Sequence, residues 1–156
     1  MNKKELSSSM NWNFLVLALL AGMALPLQGA INSRLAAFMH NPFLSALVSF
    51  SIGAFALLIY VLLARIPLHL ISGARDAPVF TWVGGLLGAF FITTTLLTVP
   101  KLGVALTFSL VILGQMIVTL PIDHFGLLGV AARTITWPRI LGVLLVIAGT
   151  ILIRRY

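Results

Sequence analysis

The chain has 156 residues, 60% of them hydrophobic and only 8% charged, with a mean hydropathy of +1.13. A soluble domain carries roughly a quarter charged residues, so a water-facing globule is excluded and one domain within a bilayer is the expectation. Ten Lys/Arg stand against three Asp/Glu, but the cations sit singly or in pairs at the ends of apolar runs, which excludes a nucleic-acid binder in favour of headgroup anchoring. Cysteine is absent and the three histidines are scattered, so disulfides, a metal site and a cofactor are not expected.

Residues 1–11 (MNKKELSSSMN) read as a polar, serine-rich, disordered tail. Residues 12–37 are long enough to cross a core of about 30 Å. A cleavable signal peptide is disfavoured, because Gln28 breaks the small-residue pattern near Gly29–Ala30 and the chain stays apolar afterwards. Ala21, Ala24, Gln28, Asn32 and Leu35 share one helical face, with Arg34 pointing away from it. Two amides on a small-residue face fit two readings: they line a cavity, or they hydrogen-bond a neighbouring helix.

Asn41–Pro42 marks a boundary, since Asn caps helices and Pro suits the first helical turn. The second span covers about 43–64, with Ser45, Ser49 and Gly53 at four-residue intervals. That ladder lets another backbone approach closely. Residues 67–78 read as a connecting loop. The third span covers about 79–99, with Trp82 at the headgroup level. Gly84, Gly88, Phe91, Thr95 and Thr98 share a face; the glycines signal helix contact, and the threonines either hydrate a cavity or bond their own backbone.

Pro100–Lys101–Leu102–Gly103 reads as a tight turn into a fourth span, about 102–122, which makes spans three and four antiparallel neighbours. Gln115, Thr119 and Asp123 stand at i, i+4 and i+8, one face if the helix continues through Pro121. An acid inside a membrane is costly unless paired or wet, and burial raises an acid's pKa, which is how proton-coupled sites are built. Asp123, with His124 beside it, is therefore the candidate coupling or gating group; the plain alternative is an interfacial Asp that caps the next turn. The fifth span, about 138–154, opens on Trp137–Pro138–Arg139 and carries Gly142 and Gly149 on one face.

The expected fold is all-α, a polytopic bundle of five transmembrane helices. Five spans put the two ends on opposite sides. The tail side then collects Lys3, Lys4, Arg65, Arg75, Arg133 and Arg139, and the other side Arg34, Lys101, Arg154 and Arg155, six cations to four. This weakly favours the N-terminus inside. Five short helices make thin walls for a solute path, and pairing with an inverted second unit is one remedy.

The run from Trp82 through Gly84, Gly85 and Gly88 to Ala89, the Pro100–Gly103 turn, Gly114–Gln115, Asp123–His124–Phe125–Gly126 and Arg139–Ile140–Leu141–Gly142 together resemble the YdcZ family. These are bacterial inner-membrane proteins of the drug/metabolite transporter superfamily. The resemblance spans nearly the whole chain from about Asn11, and implies a half-size five-helix unit with an exporter role and no defined substrate. The expectation is therefore a transporter of a small organic solute, not an enzyme, since no Ser–His–Asp, HExxH or paired-carboxylate pattern occurs. It would work as a homodimer, antiparallel in one form, or as a heterodimer with a related five-helix chain. Gln28, Asn32, Thr95 and Gln115 would surround the cavity, with Trp82 as wall or lid; Gly114 joins the packing residues. The alternative is a non-transporting subunit that packs against and stabilises a partner membrane protein.

Overall fold

A computed structural model describes the backbone of residues 3–156 and the side chains of residues 12–156. The polar tail expected over residues 1–11 lies outside the residues whose side chains are described. The chain is all-α: α1 (Lys3–Met39), α2 (Pro42–Leu63), α3 (Val83–Leu102), α4 (Val104–Phe125) and α5 (Trp137–Arg155). Five stretches are long and apolar enough to cross a membrane: Trp12–Met39, Pro42–Leu63, Val79–Leu102, Val104–Phe125 and Trp137–Arg155.

Local chemistry sets the ends of these helices. His40 takes a left-handed φ of 52°, a conformation common just past a helix C-terminus. Asn41 then caps α2, its Oδ1 accepting from the backbone N–H of Phe43 at 2.9 Å and of Leu44 at 3.1 Å. Pro42, with no N–H to leave orphaned, is the first residue of α2. The stretch read as a connecting loop is wound into a 3₁₀ turn, Leu68–Asp76, and a second such turn, Val79–Trp82, feeds α3. Several boundaries differ from the sequence reading: α1 begins at Lys3 rather than at residue 12, so the stretch read as a tail is helical from Lys3 onward. Pro100, Lys101 and Leu102 belong to the last turn of α3, so Gly103, at φ 80°, is the whole link to α4. Helix α4 continues through Pro121 to Phe125, because Gly126 closes it in the left-handed conformation with its N–H on Ile122 O.

The residues form two compact units, Met1–Pro100 and Lys101–Tyr156. In the first, α1 and α2 run antiparallel, and Ala46, Ile92 and Leu96 make a small buried apolar cluster. The ring of Phe50 lies 3.5 Å from where a Cβ on Gly88 would be. In the second, α4 and α5 run antiparallel, joined by an irregular strap over residues 126–136. Between 6% and 22% of each span's most apolar stretch is buried inside the chain. With so little interior, lipid or other protein must cover the rest.

Candidate functional site

Asp123 owes its position to the persistence of α4 past Pro121, which places it in the last turn. Trp137 and Pro138 start α5 so that Arg139 falls in the first turn. The antiparallel pairing then brings Arg139 Nη1 to 3.5 Å from Asp123 Oδ2. The side chains are 32% and 35% exposed, respectively, so water screens the pair and its contribution to stability is at most about 1 kcal/mol.

The strap ties back onto the same turn. The backbone N–H of Arg133 donates to Asp123 O at 2.7 Å, and Arg139 Nη1 reaches Arg133 O at 3.5 Å. The N–H of Ile135 donates to His124 Nδ1 at 3.3 Å. An accepting Nδ1 carries no proton, so this bond belongs to the neutral imidazole protonated at Nε2. The His124 ring also meets Phe125 edge-on, centroids 4.8 Å apart. Asp123 and His124 thus anchor a loop, and neither caps a following helix.

Asp123 and Arg139 close one end of a groove of about 430 Å³, whose remaining lining is Met116, Thr119, Leu120, Gly142, Val143 and Val146. Thr119 therefore joins Asp123 on the groove, as the helical spacing requires. Gln115, on the same expected stripe, is exposed and is not part of that lining.

The first unit holds the other polar group. Asn32 is buried, and its Nδ2 donates to Ser49 Oγ at 2.9 Å. Ser45, fully buried, donates from its hydroxyl to Asn32 O at 2.8 Å. The amide face of α1 and the serine ladder of α2 are thus one hydrogen-bonded seam. Gln28 is exposed and lines an open groove of about 320 Å³ with Ser49, Phe50, Gly53, Ala54 and Leu57. Thr95, also buried, donates to Phe91 O at 2.8 Å within its own helix. Trp82 is 63% exposed.

Of the glycines expected to pack, Gly88 receives the Phe50 ring, whereas a Cβ on Gly53, Gly84, Gly114, Gly142 or Gly149 would meet nothing within 4 Å. Sequence reasoning missed Arg139 as the partner of Asp123. The signal was available: an acid ending one span and a cation opening the next, joined by a short strap. No cluster of three or more His, Cys, Asp or Glu suited to a metal occurs among the described residues.

No curated protein and no solved structure matches the chain. A family model described as "Putative inner membrane exporter, YdcZ" matches residues 13–152. With most of its length covered and five membrane-spanning helices, the chain belongs to the YdcZ inner-membrane exporter family.

Proposed function

We propose that the chain is one half of an inner-membrane transporter that exports a small organic solute and works as a dimer of five-helix units. The observation that carries this reading is that Gln28 stands with Ser49 in a groove walled by only two helices of the chain. A solute path through hydrocarbon needs walls on every side, and a second chain, identical or related, supplies them. Gln28 and Gln115, each exposed within its own span, are the candidate solute contacts, and Trp82 is the candidate wall or lid. Asn32 and Thr95, whose side chains are already hydrogen-bonded, hold its scaffold. Asp123 is the proton-linked or gating group, and Arg139 is the counter-charge it must release.

The second reading, a non-transporting subunit, draws on the open glycines Gly84, Gly114, Gly142 and Gly149, which suit contact with a partner helix. Water separates the two. The chain has no cysteine, so single cysteines at positions 28 and 115 report cleanly. Both positions are expected to react with a membrane-impermeant, water-soluble thiol reagent in proteoliposomes. Protection of both would remove the water-filled path and leave the subunit reading.

A further inference from the structure

The groove between α4 and α5 is charged at one end and apolar along most of the rest. Its lining spans positions 116 to 123 of α4 and 139 to 146 of α5, a rise of about 10 Å on each helix. Helix α4 has 22 residues and rises about 33 Å against a hydrocarbon core of about 30 Å, so its last turn lies at the headgroup level. Trp137, 81% exposed, stands there two residues before Arg139, where interfacial tryptophans gather. The groove therefore runs from the headgroups into the upper part of the acyl region.

The charges at its mouth are only loosely engaged. One contact at 3.5 Å joins them, and each side chain is about one-third exposed. Among the described residues, Asp123 Oδ1 and Arg139 Nη2 have no hydrogen-bond partner. An anion with oxygen acceptors complements the guanidinium, and a cation with N–H donors complements the carboxylate. We propose that this groove binds a phospholipid with an ethanolamine headgroup: phosphate on Arg139, ammonium on Asp123, and an acyl chain along Met116, Leu120, Val143 and Val146. A choline headgroup has the charge but no N–H donor, and a glycerol headgroup offers Asp123 no cation. A second groove between α4 and α5, of about 360 Å³, ends on Arg154 with no acid in its lining. It offers half of this recognition.

The test is quenching of Trp137 by chain-brominated phospholipids in vesicles, with Trp12→Phe and Trp82→Phe leaving one reporter in the full chain. Brominated phosphatidylethanolamine is expected to quench at a mole fraction about threefold to tenfold lower than brominated phosphatidylcholine or phosphatidylglycerol, the range of one screened, charge-assisted hydrogen bond. Asp123→Asn should abolish that preference. Arg154→Gln should leave it intact. Equal quenching by the three lipids in the otherwise native chain, which needs no charge variant to fold, overturns the proposal. So does a preference that survives Asp123→Asn. No transport is measured, so this result and the exporter reading stand or fall separately.

Discussion

Asn32 is bonded to Ser49 across the α1–α2 seam at 2.9 Å, while its own carbonyl receives the hydroxyl of Ser45. Side-chain hydrogen bonds between membrane helices average about 0.6 kcal/mol and reach about 1.7. A double-mutant cycle of Asn32→Ala and Ser49→Ala should give a coupling energy in that range, read from unfolding in mixed micelles. Ser45→Leu should cost more, about 1–3 kcal/mol, because Ser45 is fully buried and the added carbons overpack the seam. If Ser45→Leu proves neutral, α1 and α2 do not pack here.

Gly126 and Gly103 both hold positive φ, 61° and 80°, but only one is crowded. A Cβ on Gly126 would lie 3.2 Å from Val130 O and 3.2 Å from Ala132 Cβ, whereas one on Gly103 would meet nothing within 4 Å. Gly126 is left-handed, with ψ 35°, which costs an L-residue about 1–2 kcal/mol, whereas Gly103 joins its φ to a ψ of 164°, a region open essentially to glycine alone. Gly126→Ala should therefore destabilise by the left-handed cost plus a steric increment in the same unfolding assay. Adding Ala132→Gly should return part of that increment; no return would mean that the strap does not fold back on α4.

The Ile135–His124 bond ties the strap to α4 through one side chain, the Ile135 N–H donating to His124 Nδ1 at 3.3 Å. Removing that acceptor leaves the N–H without its partner. After correction for intrinsic rates, amide exchange at Ile135 should be faster in His124→Phe than in the native chain. Equal protection in the two would detach the strap from His124.

Much of this was legible in the chain because bilayer physics is written in composition. The five spans, the Asn41 cap and Pro at the starts of α2 and α5 follow from apolar length and terminal chemistry. The helix end at Phe125 did not. Pro121 removes one backbone donor, but whether α4 stops there depends on the left-handed Gly126 and on the Asp123 carbonyl finding Arg133. Gln28 and Asn32 share a face at one-turn spacing, yet one is exposed and the other buried against Ser49. Periodicity gives a face, while the depth of a neighbour decides burial.

For Asp123, proton coupling and loop anchoring separate on one substitution. The ion pair with Arg139 is too exposed to hold the fold, so Asp123→Asn should insert and unfold like the native chain. In proteoliposomes with a trapped pH-sensitive dye, solute-evoked proton movement should fall to the level of empty liposomes. Screening a panel of amphiphilic amines and zwitterions on the native protein finds the solute first. Full proton movement by Asp123→Asn across the pH range would end the coupling role and leave the acid as the anchor of the strap.

Orientation is set by a small difference in charge. Six cations to four favour the N-terminus inside, and Lys3 and Lys4 supply the whole excess: without them each side keeps four. A single cysteine placed near Lys3, or one at the C-terminal end, should each be blocked in part by an impermeant thiol reagent on intact cells, with the C-terminal one blocked more. Replacing Lys3 and Lys4 with Gln should move the two fractions toward equality. Partial labelling at both ends is what an antiparallel homodimer requires, because both orientations of one chain must coexist. Labelling at one end alone, unmoved by the lysine changes, would fix the orientation and require that the second wall come from an oppositely inserted relative or a parallel copy.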